Sequence, residues 1–236
     1  MDTHLHHHQQ KEQHLKSSDA LRDIVIGMSD GLTVPFALAA GLSGAVNSTT
    51  IVVIAGIAEI AAGSIAMGLG GYLAGKTEQD HYNTELKREY YEVDNLREVE
   101  IQETKEFFAN IGLSEELQTR ATEEIAQDKK QWVDFMMKYE LGLEKPDPKR
   151  AGKSALNIGV SYIVGGLVPL SPYFFVQSPE EGLKISAILT LGCLFIFGYF
   201  KSKITGVNAL KGALKVMLIG AVAAAAAFGI AKLFGG

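Results

Sequence analysis

The sequence predicts an all-α membrane protein, in which five transmembrane helices carry a three-helix domain inserted between the second and the third. The prediction rests on composition and on the distribution of charge. Of the 236 residues, 47% are hydrophobic although 21% are charged. The charges are segregated, because residues 76–152 hold 19 of the 27 acidic and 12 of the 22 basic side chains. Long apolar runs around one charged block indicate a membrane protein with one acidic domain outside the bilayer.

Five apolar stretches are long enough to cross the hydrocarbon core of a bilayer, which takes about 20 helical residues. They are residues 24–46, 50–75, 154–176, 183–200 and 212–234. The connections 44–49 and 177–182 contain no Lys or Arg, whereas the connection 201–211 and the segment before the first span contain several. Because basic residues favour the cytosolic side, we expect the amino terminus and the insert in the cytosol and the carboxyl terminus on the lumenal side.

These features divide the chain into four parts: a disordered, His-rich leader (1–22), the first two spans (23–75), the insert (76–152) and the last three spans (153–236). The leader is too polar to be a signal peptide, and its histidines leave weak metal binding open beside a disordered tail. The single cysteine, Cys193, excludes a disulfide framework. The acidic insert disfavours nucleic-acid binding and favours cationic partners.

A row of glutamates follows the first helix of the insert, which we expect to continue the second span without a break to about Ala109. At 100° per residue, six glutamates fall within an arc of about 80°. They are Glu78, Glu85, Glu89, Glu92, Glu100 and Glu103. Like charges three or four residues apart destabilise a helix by about 0.2–0.5 kcal/mol per pair, so the row requires compensation.

The basic residues near this row are not expected to supply that compensation. Lys87, Arg88, Arg97 and Lys105 are predicted to point to other faces of the helix. Bound divalent cations explain the row of glutamates. A solvated acidic face, which is common on surface helices, is the alternative.

Two further helices complete the insert. The second is predicted to begin after a capping Ser114, and the third covers about 128–141 and ends at a glycine. In the third helix, Met136, Met137 and Glu140 are spaced to share one face. Buried methionines are more commonly core residues than ligands, so both interpretations stay open.

Acidic residues also occur inside two of the predicted spans. Asp30 lies in the first span, Glu59 in the second, and Met67 follows two turns further toward the cytosol. A carboxylate at that depth is costly unless it is protonated, paired or metal-bound. Pro35 removes the hydrogen bond to the Gly31 carbonyl, which leaves a free backbone oxygen near the first acid. These features favour a cation path, and a protonated acid hydrogen-bonded between helices is the alternative.

The combination of carboxylate and thioether indicates which metal binds. Mg²⁺ and Ca²⁺ prefer oxygen and gain nothing from Met, Cu⁺ prefers more sulfur, and Zn²⁺ usually recruits His or Cys. Fe²⁺ fits best, with Mn²⁺ next and Co²⁺ or Zn²⁺ left open. We expect the metal to be cargo and the protein to have no prosthetic group.

These residues resemble the vacuolar iron transporter family, in particular its plant-type members. The resemblance rests on SDGLTVPFALAAGL in the first span, EIAAGSIAMGLGGYLA in the second, and the Glu-x-x-Glu pairs and Met-Met-x-x-Glu of the insert. It extends from Asp19 to the last span. It implies a five-span homodimer in the vacuolar membrane that exchanges cytosolic Fe²⁺ for lumenal protons and is not an enzyme.

The resemblance also implies two sets of metal-binding residues. Asp30, Glu59 and Met67 match the metal path through the membrane. The matches to the cytosolic metal-binding domain are Glu89, Glu92, Glu100, Glu103, Met136, Met137 and Glu140.

Other classes of protein stay open. A membrane-anchored di-iron oxidase would use Glu-x-x-His twice, whereas this chain has it once, at Glu78-x-x-His81. A metal-gated channel would use the same acidic residues of the spans and the insert that a transporter uses. A carrier that prefers manganese or accepts several divalent metals would use them as well.

Overall fold

The computed structural model describes residues 19–234, and every regular element in that range is helical. The α-helices are α1 (Asp19–Ala45), α2 (Thr49–Asn95), α3 (Arg97–Asn110), α4 (Glu115–Ile125), α5 (Lys129–Phe135), α6 (Arg150–Leu170), α7 (Pro179–Ile204) and α8 (Ala209–Phe234). The predicted all-α class is confirmed, and five helices of the described chain are long and apolar enough to cross a membrane. Most of the predicted leader lies outside the described residues, but 19–22 already belong to α1.

The helices form two compact units. Within the described residues, the first unit contains those up to Leu69 and from Ser154 onward, and the second runs from Gly70 to Lys153. In the first unit, α1, α7 and α8 pack against one another, and a short 3₁₀ turn at Ser171–Phe174 extends α6. Together with α2, they are the helices that are long and apolar enough to cross a membrane.

Glycines let α1 and α6 approach closely within the first unit. A Cβ atom at Gly27 would overlap the carbonyl oxygen of Ile158, and a Cβ atom at Gly31 would overlap that of Tyr162. Helices in a membrane associate through such small residues because there is little hydrophobic drive between them. The close crossing places the polar groups of α6 beside α1.

The second unit has its own hydrophobic core, which surrounds the only tryptophan of the chain, Trp132. The buried residues around it are Tyr82, Val93, Ala126, Val133, Met136 and Met137. On one side of this core, the Phe135 ring lies edge-on to Phe107 with 5.1 Å between centroids. Burial of these large side chains provides most of the driving force for folding the insert.

The predicted unbroken first helix of the insert is wrong, because the chain leaves the helical conformation at Leu96 (φ −126°, ψ 32°). The break separates α2 from α3 and lets α3 form its own contacts. Arg97 donates a hydrogen bond of 3.1 Å to the Ala126 carbonyl and lies 4.9 Å over the Trp132 ring. Contacts with the core outweigh the loss of helical continuity. A single helical wheel therefore does not apply across residues 78–103.

The helix α4 begins where the sequence predicts, directly after Ser114. The backbone of Ser114 is extended, as an N-cap requires, but its side chain makes no capping hydrogen bond. The preceding turn uses Gly112 at φ 89°, a conformation that favours glycine. The position of the cap was thus predicted, whereas its hydrogen bond is absent.

The predicted third helix is divided into α5 and a π-helical turn at Met136–Glu140. In this turn, the Leu141 N–H donates to the Met136 carbonyl at 3.1 Å. Asp128 caps α5, since its side chain accepts from two backbone N–H groups at 2.8 and 3.1 Å. Gly142 ends the segment at φ 65°, as the sequence predicts. π turns are frequent at functional sites, and this one carries the Met-Met-x-x-Glu motif.

Candidate metal-binding sites

Five glutamates of the insert influence one another electrostatically, and we call them the glutamate cluster. They are Glu89 and Glu92 on α2, Glu100 and Glu103 on α3, and Glu140 in the π turn. Burial, followed by the charges of Glu140, Glu92 and Glu103, raises the pKa of Glu89 to about 7. Burial, followed by Glu89 and Glu103, raises the pKa of Glu100 to about 7. The fold therefore brings together acids from three separate segments.

The two central members of the cluster are almost fully buried. Glu89 is 4% exposed and Glu100 is 2% exposed, and the Oε2 atom of each has no hydrogen-bond partner. Glu140 is exposed as a residue, yet partial burial of its carboxyl group, and then Glu103 and Glu92, raise its pKa. A buried carboxylate oxygen without a partner is costly. A proton or a cation would relieve this cost.

Arg88 contradicts the expectation that the basic residues near the row of glutamates point to other faces of the helix. The Nε atom of Arg88 lies 3.0 Å from a carboxylate oxygen of Glu92, because residues four apart on a helix are neighbours. Arg97 does point away, toward Ala126 and Trp132. Arg88 thus partly neutralises the cluster at its exposed edge, whereas the buried oxygens remain unpartnered.

The two methionines of the π turn lie in the core of the insert. Met136 and Met137 are each 1% exposed, which agrees with the packing role that the sequence left open. The Sδ atom of Met136 also lies 3.3 Å from the hydroxyl of Thr104. Because Thr104 follows Glu100 by one helical turn, the sulfur and this glutamate approach the same face of α3.

The glutamate cluster is not a preformed coordination sphere. Within residues 19–234, no three His, Cys, Asp or Glu side chains are grouped closely enough to hold a metal ion. Repulsion between the carboxylates favours separation or protonation while no cation is present. The five predicted glutamate ligands of the insert share one region, and the metal-binding role of each predicted ligand stays a prediction.

In the first unit, Tyr162 of α6 contacts one of the two predicted membrane acids. Its hydroxyl donates a hydrogen bond to Oε1 of Glu59, whose Oε2 is buried without a partner. Gly63 leaves room for this arrangement, because a Cβ atom there would overlap the Tyr162 ring. Met67 is half-buried, eight residues beyond Glu59 on α2.

Comparison with known proteins covers nearly the whole chain. The model of the VIT family matches residues 21–232. The chain belongs to the VIT family. Vacuolar iron transporter 1 of Eucalyptus grandis is 53% identical over 95% of this chain and 90% of its own length. Vacuolar iron transporter 1 of Arabidopsis thaliana is 50% identical over 97% of this chain and 91% of its own length. Protein CCC1 of Saccharomyces cerevisiae is 41% identical over 91% of this chain and 69% of its own length.

Membership of the VIT family confirms the resemblance found in the two membrane motifs. Two hydroxyl groups of this VIT family member were nevertheless missed by the sequence reasoning. Tyr162 is a tyrosine within an apolar span, which was a usable signal, but its partner Glu59 is 103 residues away. Thr104 gave no signal, since a threonine on an amphipathic helix is ordinary. Both became visible only through their contacts.

Proposed function

We propose that this chain is a proton-coupled transporter that moves Fe²⁺ from the cytosol into the vacuole as a homodimer in the vacuolar membrane. Its family and the names of its relatives, vacuolar iron transporters, support the cargo and the compartment. The observation that carries the proposal is the presence of buried, unpartnered carboxylate oxygens in both units: on Glu89 and Glu100 in the insert, and on Glu59 in the membrane-spanning unit.

In this proposal the insert is the cytosolic domain that collects the metal. The glutamate cluster supplies oxygens, and Met136 and Met137 supply sulfurs, a combination that suits Fe²⁺ better than Mg²⁺ or Ca²⁺. With pKa values of about 7, Glu89 and Glu100 hold protons for part of the time at neutral pH. An arriving cation displaces these protons, so metal binding strengthens as pH rises.

In the membrane, the metal passes Met67, Glu59 and Asp30. Tyr162 orients the Glu59 carboxylate through one oxygen, which leaves the other oxygen for a metal ion or a proton. Protons from the lumen bind the same carboxylates after the metal has left, so the two cargoes compete for one set of oxygens. Each pH unit across the membrane supplies about 1.4 kcal/mol per exchanged proton.

Uptake of Fe²⁺ into proteoliposomes with an imposed pH gradient tests the membrane path. We expect Asp30→Asn to reduce uptake to background, because the substitution keeps the size of the side chain and removes its charge. Glu180→Gln, at an exposed site in the first turn of α7, is the control and should transport normally. Uptake at the wild-type rate by Asp30→Asn would refute the path.

The same assay distinguishes the other transport classes. A flux of Fe²⁺ that does not depend on the pH gradient would favour a channel. Competition by Mn²⁺, Co²⁺ and Zn²⁺ would rank the metals.

Calorimetric titration of the purified full-length protein tests the insert. The double substitution Glu100→Ala/Glu103→Ala should weaken Co²⁺ binding by about tenfold or more, since it removes two charged oxygen donors from the cluster. Glu123→Ala/Glu124→Ala removes the same charge from an exposed site on α4 and should have little effect. Equal binding by both double variants would favour the solvated acidic face.

A further inference from the structure

The hydroxyl of Thr104 forms the centre of a buried contact between α3 and the segment that follows α4. Thr104 is fully buried. Its Oγ1 atom lies 2.8 Å from the backbone carbonyl of Glu100, 2.8 Å from Nε1 of Trp132 and 3.3 Å from Sδ of Met136. The contact therefore joins two of the three segments that carry predicted metal ligands of the insert.

The roles of donor and acceptor in this contact follow from its chemistry. An indole N–H only donates, so Thr104 accepts from Trp132. The single hydroxyl hydrogen has two acceptors within reach, the Glu100 carbonyl at 2.8 Å and the Met136 sulfur at 3.3 Å. Because Trp132 is itself fully buried, the indole holds the hydroxyl in a defined orientation. Thr104 therefore offers a fixed polar contact to the Met136 thioether.

A methionine sulfur needs such a contact if it is to serve as a ligand at a defined place. The side chain is unbranched and flexible, so a free thioether samples many positions. The Thr104 hydroxyl is on the same face of α3 as Glu100, one turn away. Holding the sulfur there before the metal arrives reduces the conformational freedom that binding would otherwise remove.

We infer that Thr104 is a positioning residue that presents the Met136 sulfur to a metal held by the glutamate cluster, and thereby favours thiophilic divalent ions over hard ones. The inference rests on the proposed function, because it takes metal binding by the cluster as given. Mg²⁺ gains nothing from a thioether, whereas Fe²⁺ and Co²⁺ do. Loss of the Thr104 hydroxyl therefore weakens the binding of Fe²⁺ and Co²⁺ and leaves the binding of Mg²⁺ unchanged.

The test is calorimetric titration of the purified full-length protein with Co²⁺ and, separately, with Mg²⁺. Thr104→Val should lower the Co²⁺ affinity about three- to tenfold, the range expected when one flexible side chain loses its preorganisation. The Mg²⁺ affinity should stay unchanged, and Thr104→Ser should bind as the wild type does. Thr122→Val is the matched control, because Thr122 is also buried but its hydroxyl has no hydrogen-bond partner.

A second comparison keeps the test valid if Thr104→Val folds poorly. That variant leaves the buried indole N–H of Trp132 unpaired, which is destabilising. Trp132→Phe removes this N–H, so the double variant Trp132→Phe/Thr104→Val should show about the same total loss of Co²⁺ affinity, relative to the wild type, as Thr104→Val alone. In a Met136→Leu background, Thr104→Val should have no effect on Co²⁺ binding.

The outcomes separate this inference from the proposed function. Unchanged Co²⁺ affinity in Thr104→Val, or equal losses for Co²⁺ and Mg²⁺, overturns the role of Thr104 while the cluster keeps its function. Co²⁺ binding that is insensitive to Glu100→Ala/Glu103→Ala overturns both. A selective loss that disappears in Met136→Leu supports the inference.

Discussion

Glu89 and Glu100 combine two properties that are costly in a folded protein. They are buried with unpartnered oxygens, and other acids surround them, so both factors raise the pKa of each side chain to about 7. A group that titrates near neutral pH exchanges its proton for a cation at little cost. The destabilised carboxylates are thus the residues best prepared to bind a metal and to respond to pH.

The metal-free protein should lose stability between pH 5 and pH 8. The folded pKa of about 7 exceeds the ordinary 4.5, so between these values the folded state binds more protons than the unfolded state. The free energy of unfolding therefore falls as pH rises, by on the order of 1–3 kcal/mol. Thermal unfolding followed by the fluorescence of the single tryptophan measures the change.

The difference between the wild type and a double variant isolates these two groups from others that titrate in the same range. Glu89→Gln/Glu100→Gln should flatten the pH dependence, whereas Glu115→Gln/Glu116→Gln, at exposed positions in α4, should not. Co²⁺ should stabilise the wild type more at pH 8 than at pH 5. Parallel pH profiles for the wild type and Glu89→Gln/Glu100→Gln would contradict this account.

At the scale of elements, the insert depends on where its short helices begin and end. The break at Leu96 and the π turn place acids from α2, α3 and the π turn in one cluster. The helix α5 leads into the π turn and has only seven residues, too few to be stable without help from packing and capping. Its Asp128 cap therefore supports the segment that carries Met136 and Met137.

Replacing the cap of α5 should destabilise the insert. Asp128→Ala removes two hydrogen bonds to backbone N–H groups, and we expect a loss of about 1 kcal/mol. Ser114→Ala is a matched control, because Ser114 occupies the N-cap position of α4 without a capping hydrogen bond. Thermal unfolding monitored by tryptophan fluorescence should show a lower melting temperature only for Asp128→Ala. Equal melting temperatures for the two variants would show that the cap contributes nothing.

At the scale of the molecule, both units contain buried carboxylate oxygens without a hydrogen-bond partner, and the packing that surrounds these oxygens differs between the units. In the insert, a hydrophobic core around Trp132 buries the central acids. In the membrane-spanning unit, Gly63 of α2 leaves room for the ring of Tyr162, whose hydroxyl reaches Glu59 on the same helix. The proposed transport needs both, because the metal must be collected in water and then carried through lipid.

Enlarging a glycine at the helix crossing should disturb the membrane-spanning unit as a whole. A Cβ atom in Gly31→Ala overlaps the backbone carbonyl of Tyr162, so α1 and α6 must separate, at a cost of about 1–3 kcal/mol. We expect a lower melting temperature for the protein in detergent and loss of Fe²⁺ uptake. Gly192→Ala, where a Cβ atom meets no neighbour within 4 Å, should preserve both. Normal uptake by Gly31→Ala would show that the close crossing is dispensable.

Properties that depend on nearby residues were predictable from the sequence. The number and positions of the spans follow from apolar length, because the thickness of the bilayer sets how long a spanning helix must be. Asp30 and Glu59 were identifiable because an acid within an apolar run has no local partner. The end of the third predicted helix of the insert at Gly142 followed from the backbone freedom of glycine.

The tertiary structure decided the features that join distant parts of the chain. It broke the long helix at Leu96, where contacts with the insert core outweigh continuity. It also placed Tyr162 on Glu59, 103 residues away, and Thr104 on Met136, 32 residues away. Local sequence patterns determine which side chains are unusual, but only long-range packing determines which groups they meet, because those contacts form when separate helices share one core.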